Sequence, residues 1–289
     1  MQLATWNVNS LKMRLQHVLD WLVANPVDFL CLQETKLTDD KFPQEAIEAA
    51  GYGVIFTGQP TYNGVALLYR REGGYTPEGV HLDNPLYEDA QRRVVSARFG
   101  TAAGPVRVIG AYCPNGQAVD SDKYVYKLAW FAAMQQWIRR LQQEEPDTAI
   151  ILAGDFNIAP ADADVHDPEK WADGILVSKP ERAALQGLLD LGMHDAFRLF
   201  EQEPKLFSWW DYRMLGFRCN AGLRIDLILV TDDLKPQVTR CWIDREPRKL
   251  EKPSDHAPVV VEWGGRGMRL VQMQGQSGTN APRRALMCL

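Results

Sequence analysis

The sequence predicts an α/β fold in which mixed sheets are covered by helices. Three observations carry this. Short apolar, β-branched runs recur along the chain, and between some of them the apolar spacing switches from the period of a strand to that of a helix. Polar turns join other neighbouring runs with no helix between them, which indicates antiparallel pairing and argues against a regular βαβ repeat.

In chain order, Leu3–Trp6 reads as a strand, and Asn9-Ser10 precedes a helical pattern at Leu11, Leu15, Val18, Leu19 and Leu22. Phe29–Leu32 and Val65–Tyr69 read as strands, the second preceded by the turn Thr61-Tyr62-Asn63-Gly64, and Val94–Phe99 and Val106–Tyr112 follow. Trp130, Met134, Trp137, Ile138 and Leu141 share one helix face, and Ala149–Ala153 returns to strand. Ser178-Lys179-Pro180-Glu181 is a capping box ahead of Leu185, Leu188 and Leu189. Ile225–Val230 and Val259–Trp263 complete the strands.

With 289 residues, 46% hydrophobic and 24% charged, the chain can bury a large core without disulfides or a structural metal. No Pro/Ser/Gly-rich linker interrupts it before about residue 263, so residues 1–263 are expected to form one domain. Residues 264–289 lose periodicity, contain no Asp or Glu, and read as a disordered tail. That tail carries four arginines, leaving residues 1–263 with 28 basic against 37 acidic side chains, a charge of −9. An acidic body disfavours a protein that coats nucleic acid, so any DNA contact must use a local basic track.

The five cysteines are odd in number and form no CxxC, which points to a reducing cytoplasm. The N-terminus lacks a basic segment followed by an apolar one, and nowhere do 18 apolar residues run together, so neither secretion nor a membrane is expected. GxGxxG and GxxxxGK[ST] loops are absent from the sequence, removing the main support for a nucleotide-cofactor fold.

Polar residues able to do chemistry collect at strand ends. Asn7 ends the first strand, Glu34 follows the second, Tyr112 ends Val106–Tyr112, and Asp155 and Asn157 follow Ala149–Ala153. Asp226 opens Ile225–Val230, and Asp255-His256 precede the last strand. Packed sheets would bring such ends together. Carboxylate and amide oxygens suit a hard cation, Mg²⁺ or Mn²⁺, whereas the histidines form neither HxH nor HExxH and make zinc a poor fit. Glu34 is the strongest single ligand, with Asn7, Asp155, Asn157, Asp255 and His256 as the other candidates.

These segments resemble the exonuclease III family of DNA-repair nucleases. The motifs are Leu32-Gln33-Glu34-Thr35-Lys36, Tyr62-Asn63-Gly64-Val65-Ala66, Tyr112-Cys113-Pro114-Asn115-Gly116, Gly154-Asp155-Phe156-Asn157, Trp210-Asp211-Tyr212-Arg213, Gly222-Leu223-Arg224-Ile225-Asp226 and Ser254-Asp255-His256-Ala257-Pro258. The resemblance covers residues 1–263 and implies a four-layer α/β sandwich of two facing mixed sheets flanked by helices. It also implies Mg²⁺-dependent hydrolysis of phosphodiesters, with Mn²⁺ able to substitute. The activities it implies are abasic-site endonuclease, 3′-phosphodiesterase or phosphatase, and 3′-to-5′ exonuclease on duplex DNA with abasic sites or blocked or recessed 3′ ends. The protein would act as a cytoplasmic, nucleoid-associated monomer.

By the same resemblance Glu34 holds Mg²⁺ with Asn7 close by, Asp155 aligns or deprotonates water, and Asn157 holds a phosphate oxygen. Tyr112 contacts the phosphate or leaving group, Asp226 orients the catalytic groups, and Asp255 pairs with His256, which stabilises the pentavalent charge. A second metal on Asp155, Asn157 and His256 is left open. Trp209 and Leu223 are expected to line the pocket for a flipped-out residue, with Tyr212, Arg213, Arg224 and Lys127 contacting DNA. His166 is expected to obstruct a flipped abasic nucleotide and so favour 3′-end processing. Two alternatives remain at this point: a phosphatase of the same fold acting on a lipid or small molecule, and a catalytically silent DNA-binding module.

Overall fold

A computed structural model describes residues 1–264; residues 265–289, which hold the expected tail, lie outside the described residues. The first sheet begins with β1 (Gln2–Asn7), β2 (Phe29–Gln33), β3 (Tyr52–Thr57) and β4 (Val65–Arg70). The second contains β5 (Glu78–His81), β6 (Val94–Phe99), β7 (Val106–Tyr112), β8 (Ala149–Asp155), β9 (Met193–Asp195) and, after the short ribbon β10 (Trp209–Trp210) and β11 (Gly222–Leu223), β12 (Asp226–Thr231). The chain then returns to the first sheet with β13 (Val238–Ile243) and β14 (Val259–Trp263). The helices are α1 (Leu11–Ala24), α2 (Gln44–Ala49), α3 (Asp122–Glu144), α4 (Pro168–Trp171) and α5 (Lys179–Leu189).

The sheets have orders β13-β14-β1-β2-β4-β3 and β5-β6-β7-β8-β12-β9. Each is antiparallel except for one parallel pair, β1 with β2 and β7 with β8. A parallel pair needs a crossover, and α1 and α3 supply the two. Six strands in each sheet, facing each other and flanked by helices, make the four-layer sandwich.

Strand alternation explains both the core and the site. Leu3, Phe29, Cys31, Val65 and Leu67 from one sheet pack against Val95, Val108, Ile151, Ala153, Ile228 and Val230 from the other. The intervening residues Ala4, Trp6, Leu30 and Leu32 face outward beneath α1, where Val18, Trp21 and Leu22 cover them. Ile109, Ile150, Leu152, Leu227 and Leu229 do the same beneath α3 and α5. Strands buried on both faces read as continuous apolar runs, which is why they were visible in the sequence. At the far end of the inner face the same period continues into polar residues: Leu3 leads to Asn7, Val108 to Tyr112, Ala153 to Asp155, and Ile228 back to Asp226.

Gly154 makes this end possible. A Cβ there would lie 1.8 Å from the carbonyl oxygen of Ala111 on β7, so only glycine lets the two strands approach just before Asp155. Strands Tyr52–Thr57, Glu78–His81, Met193–Asp195 and Val238–Ile243, and the two-residue strands of the ribbon, are additions to the sequence reading. Among the described residues no helix is long and apolar enough to cross a membrane.

Candidate active site

Asn7, Tyr112 and Asp155 lie at the carboxyl ends of parallel strands, and Glu34 follows directly on β2. Asp226 and His256 arrive where antiparallel strands begin or are about to begin, so all six reach the same edge of the sandwich. The register is direct: Asp155 pairs with Tyr112 on one side and with Asp226 on the other. Glu34 and Asn157 leave their strands through left-handed backbone, φ 51° and 49°, a conformation that is costly for Glu34 and that asparagine adopts readily.

Asn7 joins the two sheets' carboxylates. Its Nδ2 donates to Glu34 Oε1 and to Asp155 Oδ2, each at 2.9 Å, while its Oδ1 accepts from the backbone N–H of Asn9 at 3.0 Å. Glu34, Asp155 and His256 offer ligand atoms that lie within 4.8 Å of one another. Nδ1 of His256 is 2.8 Å from Asp226 Oδ2, and Nε2 is 3.7 Å from Asp155 Oδ2. Burial opposes a charge on this ring, but Asp226, then Asp155 and Asp255, outweigh it and raise the imidazolium to about 10. Burial likewise pushes the Asp155 carboxyl up to about 7, helped by Asp226 and Glu34 and opposed by His256 and the Asn7 amide.

The donor set fits a hard divalent cation. Glu34 and Asp155 present carboxylate oxygens to one small space, and a cation there would relieve the repulsion that holds the Asp155 proton. His256 Nδ1 is taken by Asp226, which leaves only Nε2 facing that space. The Asn7 oxygen is engaged by Asn9, so this amide bridges the ligands in this structure instead of joining them.

Around this centre, Asn157 donates its backbone N–H to Asp155 Oδ1 at 2.9 Å and its Nδ2 to the Cys113 carbonyl at 3.0 Å. Tyr112 has its phenol pushed well above the ordinary value by burial, then by the charges of Glu34 and Asp155. The Arg93 guanidinium lies 4.8 Å from the centre of its ring. Beside it opens a cleft of about 600 Å³ lined by Asn63, Arg93, Asn115, Lys123 and Tyr126 among others.

On the other flank Trp209 pairs with Leu223 across the β10–β11 ribbon, and His166 donates its backbone N–H to Gly222 at 3.1 Å. The His166 ring stands edge-on to Trp171, 6.4 Å between centroids, so it belongs to the wall beside the ribbon. Trp209 is half-buried and Leu223 is buried; Tyr212 and Arg213 are exposed at the loop tip.

Four expectations require correction. His256 pairs with Asp226 and not with its neighbour Asp255, because successive side chains of extended backbone point apart. Asp255 instead accepts from Trp209 Nε1 at 3.0 Å and Asn9 Nδ2 at 3.1 Å, which occupies it away from the metal candidates. Lys127 cannot touch DNA: its side chain is 0% exposed and ion-paired with Glu181. Arg224 is equally enclosed, clamped by Asp164 and Asp195 at 2.7 Å each.

Sequence reading also missed contributors. Lys36 lies 3.2 Å from Glu34 Oε2, Asn9 links Lys36 to Asp255, and Ser254 Oγ ties the backbone of Asn7 to that of His256. Each sits within two residues of a named site residue, which was the available signal.

A model described as the endonuclease/exonuclease/phosphatase family matches residues 4–256. The chain belongs to that family. As a family member it is 36% identical to exodeoxyribonuclease III of Haemophilus influenzae, a match covering 91% of this chain and 100% of that protein. Among solved structures it is similar to the 3′ phosphatase NExo from Neisseria bound to a product DNA hairpin, at 46% identity and TM-score 0.85, covering 91% of this chain and 99% of the other. An AP endonuclease from Archaeoglobus fulgidus is similar at 34% identity and TM-score 0.84, with the same coverage. These relatives place it among the exonuclease III-type members of the endonuclease/exonuclease/phosphatase family.

Proposed function

We propose that the protein is a DNA-repair nuclease that uses Mg²⁺ to hydrolyse phosphodiesters at abasic sites and at blocked or recessed 3′ ends of duplex DNA, acting as a monomer. One observation carries this reading: two carboxylates from facing sheets, Glu34 and Asp155, share the Asn7 amide at 2.9 Å beside a His256 imidazolium. The relatives named for exonuclease, 3′-phosphatase and AP endonuclease activity support DNA over a lipid headgroup.

Glu34 and Asp155 would hold the cation, which when bound supplies Lewis acidity and neutralises phosphate charge. The remaining work falls to side chains. Asp155, which faces the same small space as Glu34, aligns the attacking water and takes its proton. His256, kept cationic by Asp226, donates through Nε2 to an equatorial oxygen as charge develops there. The second Nδ2 hydrogen of Asn157 is free to bind another such oxygen while the first stays on Cys113. Trp209 offers an aromatic face to the displaced residue, and His166 narrows that pocket, biasing the enzyme toward 3′ ends.

Duplexes carrying an abasic site, a 3′-phosphate, a 3′-phosphoglycolate or a recessed normal end, each assayed with Mg²⁺ and with EDTA, test this reading. Metal-dependent turnover of at least one is expected. Binding without cleavage in Mg²⁺ would mean a silent DNA-binding module, and turnover of a phosphorylated lipid in place of DNA would favour the other alternative.

A further inference from the structure

We propose that Lys127 is a positioning residue whose ammonium, from inside the protein, fixes the orientation of Asn157; this rests on the reading that Asn157 binds a phosphate oxygen. Lys127 Nζ donates to the Asn157 carbonyl at 2.6 Å, the Asn115 carbonyl at 3.1 Å and Glu181 Oε1 at 2.5 Å. Three acceptors use all three ammonium hydrogens. Both Lys127 and Glu181 are 0% exposed, so this charge is not shared with solvent or a ligand.

The geometry shows what the ion holds. Asn157 sits at φ 49°, a left-handed conformation that asparagine tolerates, and its contacts fix how its carbonyl and side chain point. Its carbonyl is pinned by Lys127, and its side chain is held between Cys113 O at 3.0 Å and Asn115 Nδ2 at 3.2 Å. Lys127 therefore grips both asparagines of that contact through their backbones. Glu181, its counter-ion, is anchored independently: it accepts from the backbone N–H groups of Leu176 at 3.0 Å and Ser178 at 3.1 Å as part of the α5 capping box. Three segments, the loop after β7, the loop after β8 and the start of α5, thus meet on one buried cation from α3.

A purely structural ion pair would have the same burial, so the test separates the two. Replacing Lys127→Met with Glu181→Gln removes the charges and the grip on the carbonyls together, while an amide oxygen at 181 still accepts from the start of α5, and is expected to preserve folding. Lys127→Gln with Glu181→Gln serves if that pair does not fold. On a 3′-phosphate duplex with Mg²⁺, kcat is expected to fall about a hundredfold, as displacement of a binding group by roughly an ångström does. KM, DNA affinity and its salt dependence should stay within about twofold of the parent. In an Asn157→Ala background the same pair of changes should cost less than threefold, since the residue they position is already gone. A crystal structure of the double variant should show the Asn157 carbonyl and side chain pointing elsewhere. Wild-type kcat in the double variant, an undiminished loss in the Asn157→Ala background, or an effect on KM alone would overturn the proposal. If the parent itself fails to turn over any duplex, the functional reading falls, while the backbone of Asn157 in the variant still decides whether Lys127 positions it.

Discussion

Asp226 Oδ2 lies 2.8 Å from His256 Nδ1, and its charge is the largest of those that favour the imidazolium. Its effect on pH dependence has a definite sign. The folded-state value of His256, raised to about 10, exceeds the unfolded 6.5, so the stabilisation is complete below pH 6.5 and is lost as pH rises toward 10. Asp226→Asn should remove that slope and leave a ring that burial keeps neutral at pH 8. Ring ¹³C and ¹⁵N shifts of metal-free protein measure the charge directly; an imidazolium persisting at pH 8 in the variant would contradict the assignment. Asp255→Asn, which removes a weaker neighbour, should leave the ring charged at that pH.

Asp155→Asn keeps the side chain's shape and removes the carboxylate proposed to hold the cation and take the water's proton. If one centre serves every substrate, abasic incision, 3′-phosphate release and exonuclease turnover should fall together, by about a hundredfold to ten-thousandfold, the usual worth of a general base. The measurement is a side-by-side rate comparison on the duplex panel. Loss of only one activity would show that the single-site mechanism is wrong.

Much of this architecture was legible because its strands are buried on both faces. Their apolar runs stand out, and the same two-residue period that fills the core delivers Asn7, Tyr112, Asp155 and Asp226 to one edge. The exposed edge strand Glu78–His81 and the two-residue ribbon strands have no such pattern and were invisible. Partnerships across the chain were less legible than positions within it. Adjacency suggested Asp255 for His256, whereas the true partner comes from another strand 30 residues earlier. For Lys127 a signal existed: it lies three and four residues before Trp130 and Phe131, on the buried face of α3, where a lysine must find an internal counter-ion.

His166, whose backbone N–H donates to Gly222 at 3.1 Å, is proposed to narrow the pocket beside the ribbon. His166→Gly should therefore raise abasic incision relative to 3′-phosphate release, with the rate of the latter little changed. The ratio of the two rates on matched duplexes is the readout, and an unchanged ratio sinks the idea.

Two phenols remote from this chemistry also contribute to alkaline stability. Tyr52, raised to about 12 by burial, donates to Val27 O, and Tyr75, raised to about 12 by burial and then by its hydrogen bond to Asp28, donates to Asp28 Oδ1, each at 2.9 Å. Both folded values exceed the unfolded 10, so their stabilisation is intact below pH 10 and is lost between pH 10 and 12. Denaturant midpoints should drop steeply across that window, and less steeply for Tyr75→Phe. A variant slope equal to the parent's would show that Tyr75 is not one of the groups responsible.

Two arginines that looked alike in the sequence should separate in salt. Arg213 has 84% of its side chain exposed at the ribbon loop, while Arg224 has 1% exposed between two carboxylates. Affinity for duplex DNA falls with salt in proportion to the phosphates neutralised, so losing one phosphate contact lowers the slope of log affinity against log salt by about one. Arg213→Ala should lower it by up to that amount, with its Asp211 partner at 2.6 Å limiting the change. Arg224→Met should leave the slope of the folded fraction unchanged and instead destabilise the protein by about 3 kcal/mol or more, because Asp164 is left buried beside only one remaining arginine, Arg198. Titrating fluorescent duplex at several salt concentrations, with thermal unfolding in parallel, distinguishes the two. A lower slope for Arg224→Met would put that guanidinium on DNA after all.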